Sequence, residues 1–425
     1  MPDRPELMAI GDSIYNGTRS LTTNAELARL SVPAQVARAF GWDFKVPAYP
    51  FDVLFNLEAL FRAHAFDIDT LKMAVIANAQ RWLEMDSWAD TDGFDNLAIA
   101  QTTIGDQSRL TYLNHVAQIA PLIDRVRSGS SIDFGAVVAL YLAINTAFVL
   151  NPSHKPDGKW ADKTPLEIVA ERRPRRLLVN VGANDGLWTV CLEAIKTDFD
   201  PARIAGDMHD LGVRLAEMKA AGQVDRIYFN LMPKASCIAN LMPRRDPDRP
   251  PGGSGYYPEY LGRLGQLGGL TSGDMQAIDQ ELVALNHRIR DDFAELFPDG
   301  GIAFIDSYAL LAERDDKHFR DSKPIWIHNW RINNVPLQGF SHKGGLFGLD
   351  NLHPTTVGYA AFAQAVCAQI VAVEGLKPVK PIDFTAAFDA DSLLADVPPL
   401  LDVENLLIDL VVAFVRLASS SAPTA

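Results

Sequence analysis

Leu7-Met8-Ala9-Ile10-Gly11-Asp12-Ser13 is a short apolar run that ends in a glycine and two polar residues. A continuous apolar run of this length predicts a strand that is buried on both faces, as in a parallel sheet. After a polar loop, residues 32–41 carry apolar side chains at helical spacing, with Ser31 as the expected N-cap and Gly41 as the expected C-terminal stop. The chain therefore opens with the order strand, loop, helix.

The same alternation recurs downstream. Apolar runs at residues 177–181, 226–231 and 302–306 predict three more buried strands. Helical patterns are clearest at residues 274–296 and 355–372. Short buried strands that alternate with helices predict an α/β fold, here a three-layer αβα sandwich whose central, mostly parallel sheet is covered on both sides.

Two stretches, at about residues 51–90 and 110–150, are rich in helical patterns and do not fit the alternation. We interpret both as helical insertions that border the active-site edge of one domain. The second contains the uncharged, mostly apolar residues 134–150, which are at the lower limit of a membrane-spanning length. We interpret this segment as a buried or lid helix.

The C-terminal part of the chain is expected to be an extension. We predict one domain over residues 1–380 and an extension over residues 381–425. Within the extension, residues 401–417 carry apolar side chains at helical spacing and polar side chains on another face, which predicts an amphipathic helix. Such a helix docks more often on its own domain or on a partner subunit than on lipid, so contact with a second copy and peripheral membrane contact are both left open.

Composition narrows the classes of partner. The net charge of −14 repels phosphate backbones and argues against nucleic acid as the main partner. The three cysteines lie far apart and form neither a CxxC pair nor a disulfide framework. The N-terminal residues are charged and lack the apolar stretch of a secretory signal, so we expect a cytoplasmic protein.

Ser13 is the first candidate nucleophile. It directly follows a predicted strand, and ligands in open α/β sheets bind at the carboxyl ends of the strands. A Gly-Asp-Ser tripeptide alone is also common turn chemistry, so its position carries the argument. The G-x-S-x-G motif of α/β-hydrolases requires a second glycine two residues after the serine, but that residue is Tyr15. A different serine-hydrolase scaffold is therefore required.

Asp350-Asn351-Leu352-His353-Pro354 lies just before the predicted helix at residues 355–372. A carboxylate three residues ahead of an imidazole can accept a hydrogen bond from one ring nitrogen while the other nitrogen faces a nucleophile. Taken singly, His353 is equally consistent with a histidine that bonds only to backbone at the start of a helix.

Gly182-Ala183-Asn184-Asp185 follows the most apolar predicted strand. Gly182 would let the backbone approach a ligand closely, and the Asn184 amide could donate a hydrogen bond to a developing oxyanion. A turn that merely ends the strand is an equally good interpretation of these residues alone. Asp185, and likewise Asp12 beside Ser13, we expect to bond to nearby backbone and to shape the site.

Together, the blocks around Ser13, Asn184 and His353 resemble the conserved blocks of the SGNH/GDSL hydrolase family, in its lipase/esterase-like branch. The resemblance extends over most of the chain, since residues 94–101 are similar to the second block of the family and residues 228–233 to its fourth-strand segment. It implies a flavodoxin-like SGNH hydrolase fold. It also implies Ser13 as nucleophile and His353, oriented by Asp350, as general base.

The resemblance further implies an oxyanion hole and no metal or organic cofactor. The donors would be the Ser13 backbone N–H, the Asn184 side chain and a backbone N–H of the second block. The second block usually supplies a glycine, but the matching residue is Gln101. A backbone donor survives this substitution if the local conformation does, so Gln101 is one candidate and Gly105 is the alternative.

The leading functional expectation is an esterase or lipase that cleaves small-molecule acyl esters or lipids through an acyl-enzyme intermediate. Removal of acetyl groups from carbohydrate, acyl transfer to an alcohol, and a non-catalytic binding protein are the alternatives. A sugar platform would need exposed aromatic residues near Ser13, for which Trp188 and Trp326 are candidates.

Several further residues are candidates for lining the site. The first insertion contributes apolar residues that would wall an acyl-binding cleft or, equally well, form core: Phe51, Phe55, Leu57, Leu60, Phe61 and Phe66. Three histidines ahead of the last block are weaker candidates for the pocket: His318, His328 and His342.

Overall fold

The computed structural model describes residues 4–63, 67–129, 132–242, 255–262, 269–319, 322–337 and 344–398. The strands in this part of the chain are β1 (Leu7–Gly11), β2 (Arg176–Asn180), β3 (Arg226–Asn230), β4 (Leu241–Met242), β5 (Glu259–Gly262), β6 (Leu270–Thr271), β7 (Ile302–Ile305), β8 (Ile325–Ile327) and β9 (Trp330–Ile332).

The helices in the same ranges are α1 (Ser13–Asn16), α2 (Ala25–Arg29), α3 (Val32–Phe40), α4 (Leu57–Arg62), α5 (Ile68–Glu84), α6 (Tyr112–Ser128), α7 (Phe134–Leu150), α8 (Pro165–Arg172), α9 (Trp188–Glu193), α10 (Pro201–Ala220), α11 (Ser272–Leu296), α12 (Ser307–Ala312), α13 (Thr356–Glu374), α14 (Phe384–Asp389) and α15 (Ser392–Ala395).

The central sheet is parallel and has the order β1-β2-β3-β7. These are the four strands that the sequence predicts. On the free side of β1, the backbone around Asn96 runs parallel to it: Ala9 N–H donates to the Asp95 carbonyl at 2.9 Å, and Leu97 N–H donates to the Ala9 carbonyl at 2.7 Å. The segment around Asn96 follows β1 in the chain and therefore counts as the second strand. The five strands then lie side by side in the order 2-1-3-4-5, which is that of flavodoxin-like folds and confirms the predicted fold class.

Two neighbouring residues of β3 show that helices cover both faces of the sheet. Side chains of successive strand residues point to opposite faces. The Tyr228 hydroxyl donates to Glu374 of α13, whereas the Phe229 ring lies 5.0 Å from the Phe293 ring of α11. Because α3 packs on α13 and α10 packs on α11, two helical layers enclose the sheet, as the sequence predicts.

Helix boundaries largely follow the sequence signals. Gly41 ends α3 in a left-handed conformation, with φ +71°, as expected of a C-terminal glycine. Ser31 occupies the N-cap position of α3, as predicted, although its hydroxyl makes no capping hydrogen bond within the described residues. Thr355 caps α13, which therefore begins one residue later than predicted.

Both predicted insertions contain helices: α4 and α5 in the first, α6 and α7 in the second. α7 has most of its residues buried and packs along α6, so it is a core helix with one face at the active-site edge. Of the described helices, α13 alone is long and apolar enough to cross a membrane. It packs against α3 and β7, with most of its residues buried.

The described part of the predicted extension packs on the rest of the chain. Asp391, fully buried between α14 and α15, accepts from the Arg19 guanidinium at 2.5 Å, and Arg19 also pairs with Glu58 of α4 at 2.5 Å. The predicted amphipathic helix at residues 401–417 lies outside the described residues, and the domain boundary at residue 380 stays a prediction.

Candidate active site

Ser13 lies in a tight turn at the carboxyl end of β1, as the first residue of α1. Asp12 caps this short helix by accepting from the Ile14 N–H at 3.0 Å. Gly11 has φ +143°, and a Cβ there would come within 2.1 Å of the Asn180 carbonyl oxygen. Only glycine therefore permits the close approach of β1 and β2 that brings the Ser13 turn to the sheet edge.

A buried chain of polar side chains supports this turn across three strands. Asp12 Oδ1 accepts from Asn180 Nδ2 at 2.7 Å, Asn180 Oδ1 accepts from Asn230 Nδ2 at 2.8 Å, and Asn230 Oδ1 accepts from the Tyr15 hydroxyl at 3.0 Å. The sequence analysis did not identify Asn180, Asn230 or Tyr15. A signal existed, since each asparagine is the polar last residue of a strand whose three preceding residues are apolar or aromatic.

Asp12 is fully buried, and burial raises the pKa of its carboxyl group to about 6. The Ile14 N–H, the Asn180 amide and the nearby His353 lower the pKa but do not cancel the effect of burial. One carboxyl oxygen, Oδ2, has no hydrogen-bond partner in the described residues.

Asp350 and His353 form a buried pair in the turn before α13. The imidazole Nδ1 donates to Asp350 Oδ2 at 2.7 Å, and the same oxygen accepts from the Leu21 N–H at 2.8 Å. The other oxygen accepts from the backbone N–H groups of Leu352 and His353, at 3.1 and 2.9 Å. Burial alone would raise the pKa of Asp350, but the imidazole and these N–H donors outweigh it, so its pKa is lowered and the carboxylate stays charged.

This pair fixes the orientation of the imidazole. With Nδ1 held by the carboxylate, Nε2 is the nitrogen left to exchange a proton. Ser13 and His353 line the same two cavities, and Trp188 packs against the imidazole with ring centroids 6.0 Å apart. The described residues show no hydrogen bond between the Ser13 hydroxyl and the imidazole; such bonds often form only when substrate is bound.

Asn184 lies beside Ser13 in the turn Ala183–Leu187 that follows β2. Its Nδ2 donates to the Thr102 carbonyl at 2.9 Å, which anchors the side chain and leaves one amide hydrogen for a ligand. Gly182 begins the turn with φ +108°, where a Cβ would meet Met232 Sδ at 2.6 Å. Asp185 is buried and accepts from the Ile104 N–H at 3.1 Å, so it joins the second block to this turn.

Gln101 has φ +72°, a left-handed backbone conformation that glycine adopts without strain. It lines the larger cavity, and its N–H, like that of Ser13, donates no hydrogen bond within the described residues. Gly105 instead begins the 3₁₀ turn Gly105–Ser108 and lines neither cavity. The structure therefore favours Gln101 over Gly105 as the second-block residue nearest the site.

Two cavities meet at Ser13, Asn184, Trp188 and His353. The smaller cavity has a volume of about 90 Å³ and extends between β2, β3, α12 and α13. The larger cleft has a volume of about 660 Å³ and reaches α7 and α10. Within the described ranges, no group of three or more His, Cys, Asp or Glu side chains is arranged to hold a metal ion.

The remaining candidates fall in different places. Trp188 lines both cavities, but Trp326, at 64% exposure, lies on β8 and lines neither. None of the described apolar residues proposed from the first insertion lines either cavity, so they do not wall this site; they belong to or pack against the core: Phe51, Phe55, Leu57, Leu60 and Phe61. Phe66 and His342 lie outside the described residues, and His318 and His328 line neither cavity.

Comparison with known proteins gives one family match. The sequence model of the family described as "GDSL-like Lipase/Acylhydrolase" matches residues 7–366. No curated protein matches the chain. Among solved structures, phospholipase A1 from Streptomyces albidoflavus NA297 is similar over 86% of this chain and 100% of that chain, with 12% identity and a TM-score of 0.28. A TM-score this low supports no inference about this chain.

Proposed function

Because the chain belongs to the GDSL-like lipase/acylhydrolase family and is a carboxylic ester hydrolase, we propose that it cleaves acyl esters through a covalent acyl-enzyme intermediate on Ser13. One observation carries the proposal: the Ser13 hydroxyl, the imidazole held by Asp350 and three uncommitted N–H donors all border the same space.

In the first step, the Ser13 hydroxyl rotates toward His353 Nε2 and loses its proton to that nitrogen as Oγ attacks the ester carbonyl carbon. The imidazolium then gives this proton to the departing alcohol oxygen, which leaves the acyl group on Oγ. In the second step, His353 removes a proton from water as the water oxygen attacks the acyl carbon. The imidazolium then returns this proton to Ser13 Oγ as the bond between Oγ and the acyl carbon breaks, which releases the carboxylic acid and restores the serine. Asp350 holds the ring and stabilises its charged form throughout.

The carbonyl oxygen becomes negatively charged in both steps and requires preorganised donors. The backbone N–H groups of Ser13 and Gln101 and the free amide hydrogen of Asn184 can supply them. Each donor is expected to stabilise the transition state by about 2.7–4 kcal/mol.

Replacing the nucleophile tests this proposal. We expect Ser13→Ala to lower kcat for chromogenic acyl esters by a factor on the order of 10⁴ or more, because the substitution removes the oxygen that forms the acyl-enzyme in the proposed mechanism. A fluorophosphonate probe should label the native protein at Ser13 and leave the variant unlabelled. Ser128→Ala, which changes a serine at the exposed end of α6, is the matched control and should keep native turnover. Undiminished turnover by Ser13→Ala would contradict the proposal.

A second candidate function is removal of acetyl groups from carbohydrate. It is favoured by the position of Trp188, whose indole lines both cavities and could stack on a sugar ring. Adding an acetylated sugar to the ester panel separates the two functions. Faster turnover of the sugar than of simple alkyl acetates would favour the deacetylase.

A further inference from the structure

We propose that the two cavities divide the ester between them: the smaller one holds a short acyl chain of up to about four carbons, and the larger one holds a polar alcohol group. This inference rests on the proposed function, because it assigns the two halves of the substrate of the same site.

The smaller cavity has the lining of an acyl subsite. Beyond the shared residues its walls are mainly apolar side chains, among them Leu231 at the end of β3, Leu311 of α12 and Phe362 of α13. All three are buried in the core that carries the site. Its volume of about 90 Å³ corresponds to roughly three groups the size of water or methylene, at about 30 Å³ each.

The larger cleft differs in that charged side chains line it beside apolar ones such as Val138 and Leu142. Asp106, Asp185 and Asp198 line it, together with the guanidinium of Arg203. All three carboxyl groups already accept hydrogen bonds from their surroundings: Asp106 from the Thr103 N–H at 2.8 Å, Asp185 from the Ile104 N–H at 3.1 Å and Asp198 from the Thr189 hydroxyl at 3.2 Å.

Laying an alkyl chain along the carboxylates of this cleft would remove water from them without replacing its hydrogen bonds, which is costly. An alcohol rich in hydroxyl groups would instead donate to these carboxylates. The volume of about 660 Å³ is in the range of sites for small organic ligands, so a bulky alcohol fits.

The junction of the cavities suits this division. Ser13 and Asn184 line both, so a carbonyl held over Ser13 can send one substituent into each cavity. His353 also lines both, which leaves its Nε2 free to deliver a proton to an alcohol oxygen on the side of the larger cleft.

The test varies acyl length at constant alcohol, with p-nitrophenyl esters from acetate to dodecanoate. We expect kcat/KM of the native protein to peak at or below butanoate, the ester of about four carbons, and to fall by about tenfold or more by decanoate. A peak at a longer chain than butanoate would overturn the proposal, and this measurement requires no variant to fold.

Paired variants at Leu311 locate the subsite. Leu311→Ala removes three carbons from the wall, so the optimum should move to longer chains, whereas Leu311→Phe should move it to shorter ones. Leu142→Ala and Leu142→Phe make the same changes in α7, on the larger cleft, and should leave the optimum unchanged. An optimum that follows Leu142 and ignores Leu311 would assign the acyl chain to the other cavity and overturn the proposal.

Acetate turnover separates this inference from the proposed function. Acetate is too short to depend on the far wall of either cavity, so Leu311 variants that hydrolyse it at the native rate are folded and competent. If Ser13→Ala abolishes acetate turnover but the acyl length with the highest kcat/KM differs from the predicted one, only the assignment of the two cavities is wrong. If Ser13→Ala hydrolyses acetate normally, the proposed function is wrong as well.

Discussion

Gln101 holds a left-handed backbone conformation that costs a residue with a Cβ about 1–2 kcal/mol. We expect Gln101→Gly to keep kcat within about threefold of the native value, because the proposed donor is the backbone N–H and glycine adopts this φ without strain. The thermal midpoint should not fall, since the variant also removes the buried Oε1 atom that has no hydrogen-bond partner. Ester kinetics and thermal unfolding check both expectations.

Gln101→Ala is the matched control for the side chain, because it removes the amide but keeps the Cβ and its backbone strain. If Gln101→Gly and Gln101→Ala both lose turnover by about a hundredfold, the side chain and not the backbone acts on the substrate, contrary to the prediction.

Spacing alone does not identify the catalytic histidine. Asp315 and His318 repeat the spacing of Asp350 and His353, and the two Nδ1–carboxylate distances are 2.8 and 2.7 Å. His318 Nε2, however, is bonded to the Tyr260 hydroxyl at 2.7 Å, and the ring lies in a buried cluster away from Ser13. Asp350 and His353 lie just before the long apolar helix α13, and this position together with the spacing is the reason for predicting His353 as the general base, a role that stays a prediction.

At the scale of elements, the carboxyl group of Asp185 joins the turn that follows β2 to the backbone of Ile104 in the second block. Burial raises the pKa of Asp185 to about 7, although its bond from the Ile104 N–H and the charge of Arg203 lower it. Because the folded-state pKa lies above the unfolded one, Asp185 contributes stability that is complete below about pH 4 and is lost as the pH rises through about 7. We therefore expect Asp185→Asn, which cannot ionise, to gain in thermal midpoint relative to the native protein as the pH rises from about 5 to about 8.

Asp185→Ser also removes the ionisable group, but serine is smaller than aspartate. We therefore expect its thermal midpoint to change with pH in the same way as that of Asp185→Asn, although its absolute midpoint will differ. A difference in midpoint between native protein and Asp185→Asn that stays constant over this range would refute the assignment of the pH dependence to this carboxyl group.

The strands and helices that could be predicted are those marked by residues within the element itself. The four parallel strands are mainly apolar runs, and α11 and α13 have capping residues at their first turns, so the sequence alone indicates where they lie. The role of the first insertion was not predictable in this way, because an apolar helix face looks the same whether it packs on core or on substrate. The insertion that reaches the larger cleft is the second, through Val138, Tyr141 and Leu142 of α7.

At the scale of the whole molecule, a buried ion pair ties the described C-terminal residues to the N-terminal loop. We expect Asp391→Ala to lower the free energy of unfolding by about 3–5 kcal/mol, because it leaves the Arg19 guanidinium with only Glu58 as a buried partner and removes the acceptor for the Thr356 N–H. Urea unfolding measures the change.

Asp389→Ala is the matched control two residues away. Asp389 is 60% exposed and pairs with His328 at 3.1 Å, so its loss should cost less than about 1 kcal/mol. Equal effects of the two substitutions would mean that burial of the Arg19 pair adds nothing to stability.

The two strand-end asparagines stand out in the sequence, but their hydrogen bonds with Tyr15 and Asp12 could not be predicted, since only the folded sheet brings these residues together. The same is true of the neighbours of Asp350, whose carboxylate accepts a backbone hydrogen bond from Leu21 near the opposite end of the chain.

Ser13 comes well before His353 in the chain, and under the proposed mechanism this order has a consequence during synthesis. The ribosome releases the hydroxyl first, and the imidazole follows only after the four strands of the central sheet have been translated. Until then the serine would be an ordinary alcohol with no base to activate it, so an unfinished polypeptide would not hydrolyse the esters around it. Hydrolysis would begin only when the fold is complete.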